Sequence, residues 1–373
     1  MKKKINHIPL VNLKREYSFL KKKIFSRLVN FFNTAKFIQG KEVEIFERNI
    51  KRLFNSNYVI SCANGTDALF GALMTLKLKK GDEIITTAMS WISSAETILN
   101  AGGKPVFVDI KEDGNIDENL IEKKINKKTK AILVVHLYGN AVNMSKCINI
   151  ARKYKIKIIE DCAQAHLAEW KNKKCGTIGD FGAFSLFPSK VLGAYGDAGF
   201  LICKNKNDYD YVKKFFNHGS ENKINFEFRG INSRLDSIQA CILNIKLKYL
   251  KSYITKRRKV AKEYYKSLNG IKNLKLPYID NNNKNVFYLY TIKTPLRDKL
   301  KKHLFKKGIS TNINYKIGLP FQKVFNYNLK KQNFNNTIKF QNEILSIPMD
   351  PFLKKEEIQK ISNEIKTFFR KSQ

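Results

Sequence analysis

The chain has 373 residues, 43% of them hydrophobic, and carries 70 lysines and arginines against 32 aspartates and glutamates, a formal charge of +38. That apolar content excludes a disordered chain, and the apolar runs are too short for a membrane span. The start, MKKKINHIPLVNLKREY, is basic but leads into no apolar block of signal-peptide length, which points to the cytoplasm.

The charge has two readings. An anionic partner, nucleic acid or a phosphorylated substrate, would need it. Compositional drift that spreads lysine over solvated faces would equally produce it. No zinc finger, RNA-recognition aromatic motif or basic leucine-zipper helix is present, so no nucleic-acid partner is expected. The six cysteines, Cys62, Cys147, Cys162, Cys175, Cys203 and Cys241, form no C-x-x-C pair and read as reduced and buried. The histidines are scattered, so no metal site is expected.

In chain order, EYSFLKKKIFSRLVNFFN has the three-and-four apolar spacing of a helix. From Tyr58 the pattern alternates. YVISCANGTDALFGALMTLKL reads as strand, small-residue turn and apolar helix. DEIITTAMS, KPVFVDI, AILVVHLYG and IKIIEDCA are short β-branched runs separated by helix-length stretches, and GAFSLFPS and AGFLICKN are two more strands. Alternation of this kind predicts an α/β fold with a mostly parallel sheet flanked by helices. KYLKSYITKRRKVAKEYYKSL reads as a long charged connecting helix. The strand FYLYTIKT and the helix KEEIQKISNEIKTFFRK follow. The division expected is a large domain over 1–250 and a small C-terminal α+β domain over 251–373. DNNNKN, from Asp280 to Asn285, reads as a polar loop.

Ligands of parallel sheets sit at the carboxyl ends of strands, and three stretches place polar residues there. In SCANGTDAL the amides at the start of a helix near Gly65 and Thr66 form an anion cup, although Asn64 or Thr66 could equally be a plain N-cap. In IIEDCAQAH, Asp161 emerges at the strand tip, followed by Gln164 and His166. It is either a cap or the partner of a cation such as a protonated pyridine nitrogen. In FSLFPSKVLGAYGDAG, Lys190 sits in a tight, partly apolar turn, where desolvation favours the uncharged amine that attacks carbonyls. A carboxylate, an amine and a phosphate cup together describe a pyridoxal 5'-phosphate site.

The run IPLVNLKREY, FIQGKEVEIFERNI, CANGTDAL, GGKPVFVDI, EDCAQAH, GTIGDFGAFSLFPSKVLGAYGDAG, GINSRLDSIQA and ILSIPMDP resembles the DegT/DnrJ-type pyridoxal-phosphate-dependent sugar-nucleotide aminotransferases. The resemblance implies the aspartate-aminotransferase-like fold (fold type I) with a seven-stranded sheet. It implies that Lys190 bonds to the cofactor and later carries a proton, and that Asp161 pairs with the pyridine nitrogen. Gln164 is implied to bond the ring oxygen. Gly65, Thr66 and Ser185 are implied to hold the phosphate, and Trp91 to stack on the ring. Asn232 matches an asparagine that reaches the phosphate of the neighbouring subunit, which implies a homodimer with shared active sites. Arg229, Arg234 and Tyr315 are candidates for the substrate. The implied reaction moves an amino group from L-glutamate to carbon 3 of a UDP- or dTDP-linked 3-oxo sugar, for surface polysaccharide synthesis. Carbon 4 of a 4-keto-6-deoxy sugar, or a regulatory protein on the same scaffold, are the alternatives. Leu167 and Glu169–Trp170 depart from the family, where glycine and small residues commonly follow AQAH.

Overall fold

The computed structural model describes residues 7–278, 280–325 and 331–371. Seven strands make the main sheet: β1 (Tyr58–Cys62), β2 (Glu83–Thr87), β3 (Lys104–Val108), β4 (Thr129–Val135), β5 (Lys157–Asp161), β6 (Phe181–Ser185) and β7 (Gly199–Cys203). Their spatial order is β1-β7-β6-β5-β4-β2-β3. The neighbours from β3 to β6 pair in parallel, and β7 runs antiparallel to both β6 and β1.

The continuous apolar runs have a simple cause: both faces of the sheet are covered. Along β4, Ile132 and Val134 face one hydrophobic cluster, while Ala131, Leu133 and Val135 face another. Along β5, Ile158 faces the first cluster and Ile159 the second. Asp161, two residues beyond Ile159, therefore leaves the tip on the second face. The first predicted helix is Leu13–Phe32, and a second helix, Lys41–Phe54, follows it. A third cluster joins Ile8, Tyr264, Tyr290, Ile292, Leu300, Leu304 and Ile361. It surrounds the antiparallel pair β8 (Tyr290–Lys293) and β9 (Ile344–Ile347). Helix Leu250–Leu268 leads into it. Among the described residues no helix is long and apolar enough to cross a membrane.

The stretch expected as a polar loop is in part a strand. Asn283–Lys284 pairs antiparallel with Glu169–Trp170, which turns back to pair with Lys173–Lys174. Asn283 is buried because its amide donates to Asn140 Oδ1 at 2.7 Å and to the Ala141 carbonyl at 3.1 Å. Composition alone conceals such pairing between asparagines. Leu167 occupies φ +61°, a conformation glycine adopts more easily.

One latch fixes the strand that carries Asp161. Glu160, fully buried, accepts from the Gly176 amide at 2.8 Å, from Ile178 at 2.8 Å and from Gly179 at 2.6 Å. His136 Nδ1 accepts from the Val142 amide at 3.1 Å, so its Nε2 carries the proton and donates to Glu160 at 2.9 Å. The His136 amide in turn donates to the Asp161 carbonyl at 3.1 Å. Truncating Glu160 would orphan four donors, three of them buried. An unsatisfied buried group costs about 1–3 kcal/mol. Glu160→Ala should lower unfolding free energy by about 3–5 kcal/mol in urea titration. A loss below about 1 kcal/mol would contradict the latch.

Candidate active site

The site gathers at the carboxyl ends of β1, β2, β5 and β6. Asp161 is buried at the tip of β5. Its Oδ2 accepts from the Ser94 hydroxyl at 2.7 Å, and its Oδ1 from the Ala163 amide at 3.1 Å. Ser94 lies in helix Ser93–Asn100 and is itself within 2.8 Å of Ser90 Oγ. Burial raises the pKa of Asp161, while Ser94, the Ala163 amide and the positive charge of Lys190 pull it back down. A cation placed against this carboxylate would offset the burial cost.

Lys190 is half-buried in the turn after β6. The Lys190 amide donates to the Phe187 carbonyl at 2.8 Å, and the Ala194 amide to the Leu186 carbonyl at 2.7 Å. Leu186, Val191, Leu192 and Ala194 are buried beneath it. Gly193 is required by contact, since a Cβ there would lie 2.3 Å from the Pro188 carbonyl oxygen. The apolar residues around the lysine thus tie its turn to the core, and the amine stands 4.7 Å from the centre of the Tyr288 ring.

The cup is built from helix Gly65–Met74 and Ser185. Asn64 is the N-cap, its side chain accepting from the Asp67 amide at 2.8 Å. The amides of Gly65 and Thr66 head the helix and point out of it. A Cβ on Gly65 would fall 2.6 Å from Ser185 Cβ, so glycine is what lets the helix start approach Ser185. Thr66 Oγ1 lies 2.8 Å from Ser93 Oγ. Ser233 Oγ donates to Asp67 Oδ2 at 2.6 Å and accepts from the Ala63 amide at 3.0 Å, which steadies the cup from a third element.

Gln164 is oriented by its surroundings. Its Oε1 accepts from the Tyr138 amide at 2.7 Å, which leaves Nε2 as a donor, 3.0 Å from the Tyr315 hydroxyl. Burial raises the pKa of the Tyr315 phenol, so it stays protonated. Trp91 is 60% exposed and its ring lies 6.0 Å from that of Tyr315. His166 packs against Phe184 and Phe200, and burial together with the charge of Lys190 pulls its pKa down to about 3.

Gln164, Trp91 and Tyr315 are thus connected through direct contacts, Asp161 is near enough for its charge to act on Tyr315 and to feel that of Lys190, and Gly65, Thr66 and Ser185 form the cup. Tyr315 belongs with Gln164. Arg229 and Arg234 line a different, open hollow with His218, Lys223, Phe226 and Phe228. Asn232 is exposed between them. Sequence reading missed Ser94, Tyr138, Ser233 and Tyr288. Ser94 was findable from SWISSAE, a serine pair opening a helix just past a strand end. The other three act from distant segments.

The residues fit pyridoxal phosphate: a buried carboxylate that gains from a cation, a helix start narrowed by glycine, a fixed amide donor and a half-buried amine. A model of the DegT/DnrJ/EryC1/StrS aminotransferase family matches residues 19–366. A protein of Geobacillus stearothermophilus named pleiotropic regulatory protein is 37% identical, over 98% of this chain and 99% of that one. The UDP-N-acetyl-3-dehydro-alpha-D-glucosamine 3-aminotransferase of Acidithiobacillus ferrooxidans is 35% identical, over 96% of this chain and 97% of that one. A crystal structure of DesV from S. venezuelae superposes with a TM-score of 0.95 at 30% identity, covering 97% of this chain and 98% of that one. The chain belongs to the DegT/DnrJ/EryC1/StrS aminotransferase family.

Proposed function

We propose that this aminotransferase uses pyridoxal 5'-phosphate to move an amino group from L-glutamate to carbon 3 of a nucleotide-linked 3-oxo sugar. The carrying observation is a buried Asp161 within electrostatic reach of Lys190, beside a glycine-narrowed cup. The 3-aminotransferase named above supports the sugar and the carbon. The family resemblance supports glutamate and a homodimer. When bound, pyridoxal phosphate supplies an aldehyde that carries the amino group and a ring that accepts electrons.

The protein's own groups do the rest. The Gly65 and Thr66 amides and the Ser185 hydroxyl would hold the phosphate, with the helix start favouring its charge. Asp161 would keep a proton on the pyridine nitrogen. Gln164 would donate from Nε2 to the ring oxygen, because Tyr138 already occupies its other end. Trp91 would cover one ring face. Lys190 would bond to the cofactor, then hold and move a proton at the amino acid's α-carbon. Positioned acid–base groups of this kind contribute ~10²–10⁴-fold. Exposed Asn232, with Arg229 and Arg234, would reach across to the partner's site and its nucleotide-sugar phosphates.

Lys190→Ala should fold, since one half-buried side chain is lost, yet transaminate more than about 10⁴-fold more slowly. Near-normal turnover would remove Lys190 from the reaction. Asp161→Asn should also be inactive, but in cofactor-free protein it should be more heat-stable at pH 7. The sign follows from the raised pKa: the folded form binds a proton more readily, so this carboxylate costs stability as pH rises above the ordinary Asp range. The gain should shrink as the pH is lowered toward that range, and equal melting temperatures at pH 7 would refute the burial cost. The substrate is tested by incubation with glutamate and UDP- or dTDP-linked 3-oxo sugars, with the amino sugar detected by mass. No amine from any 3-oxo sugar, but one from a 4-keto sugar, would move the reaction to carbon 4. No amine at all, with salt-sensitive DNA binding, would favour a regulatory protein.

A further inference from the structure

Tyr288 stands where no part of the reading above uses it. It lies just before β8, and its backbone is tied on both sides. Its amide donates to the Tyr138 carbonyl at 2.9 Å. Its carbonyl accepts from Arg257 Nη1 at 3.2 Å, and that buried guanidinium also bonds the Phe287 carbonyl at 3.2 Å and the Met349 carbonyl at 3.1 Å. The flanking side chains, Phe287 and Leu289, are buried in two different clusters. The Tyr288 ring itself is half-buried against the two clusters that cover the faces of the main sheet. Its face meets Lys190 Nζ at 4.7 Å from the centroid, inside the range where a ring quadrupole attracts a cation. Its hydroxyl lies 3.5 Å from Ser189 Oγ, on the same turn as Lys190.

We propose that Tyr288 is a positioning residue for Lys190, its ring face holding the ammonium group of the free lysine in place between its two acts of chemistry. The proposal rests on the assignment of Lys190 as the reacting amine. Lysine must leave its bond to the cofactor, carry a proton, and return. A long flexible chain freed in this way loses its position unless something gathers the charge. The ring attracts the ammonium form while forming no bond that must later be broken.

The other groups around Lys190 are accounted for. Asp161, at the tip of β5, also favours the ammonium. His166, on the loop after β5, is neutral at working pH because its pKa is pulled down to about 3. Tyr315 interacts with both Tyr288 and Asp161, and its raised phenol pKa keeps it uncharged. His136 acts on Asp161 from the latch side. Among the described residues, Asp161 and the Tyr288 ring are thus the groups that attract a positive charge here.

The test is competitive acetylation of the cofactor-free full-length chain at pH 7.5 and pH 10.5. Lys190 labelling is read by peptide mass spectrometry relative to exposed lysines. The ratio of the two rates removes differences in access, which act equally at both pH values. In Tyr288→Leu the ratio of the pH 7.5 rate to the pH 10.5 rate should rise about three- to fivefold, the size expected for a lost cation–π contact. In Tyr288→Phe, which keeps the ring and loses the hydroxyl, it should stay as in the parent. An unchanged ratio in Tyr288→Leu overturns the proposal, and so does a rise in Tyr288→Phe. If Tyr288→Leu does not fold by circular dichroism, Tyr288→Phe and Tyr288→Trp decide, since both must keep the parent ratio. No substrate enters this experiment, so its failure leaves the proposed transamination untouched, and failure of the sugar assay leaves the labelling result standing.

Discussion

A carboxylate is buried at the end of a strand and, among the described residues, has two hydrogen bonds and no ion pair. Burial makes its charged form expensive, and a hydroxyl, an amide and the nearby lysine only partly offset that cost. The remaining gain is available to any ligand that brings a positive charge to Asp161. In the function proposed above, that ligand is a protonated pyridine nitrogen. The rest of the fold positions Asp161 and places the other ligand groups around it.

Positioning starts on the opposite face of the same strand. Glu160 cannot move without breaking four hydrogen bonds, one of them from His136, whose own amide holds the Asp161 carbonyl. The alternation of β5 thus assigns consecutive acids to different tasks, one structural and one facing the ligand. Glycine performs the comparable task at the cup and under the lysine. At Gly65 and Gly193 a single methyl group would collide with the neighbouring segment. The two chemical groups of the site, amine and anion cup, therefore depend on close backbone approach as much as on their own side chains.

Much of this was legible in the sequence. The β-branched runs gave the strands of the large sheet, and small polar residues at their ends marked Asp161, the Gly65 cup and the Lys190 turn. What was not legible has a common cause: it depends on segments far apart in the chain. Ser94 meets Asp161 across 67 positions, and Ser233 meets Asp67 across 166. Tyr288 reaches Lys190 from 98 positions away, its neighbours Phe287 and Leu289 being buried in two different clusters. DNNNKN looked like solvent-facing loop, yet Asn283 is buried against Asn140, a pairing no local pattern signals. Leu167, where the resemblance implies glycine, takes the left-handed backbone that glycine adopts most easily.

The most direct measurement is borohydride reduction of the protein loaded with pyridoxal phosphate, followed by peptide mapping. A pyridoxyl group fixed on the peptide containing Lys190, and missing from that peptide when Asp161 is replaced by alanine at limiting cofactor, is the predicted result. A pyridoxyl group on some other lysine, or on none, would show that this turn does not hold the cofactor and that the site described is not the catalytic one.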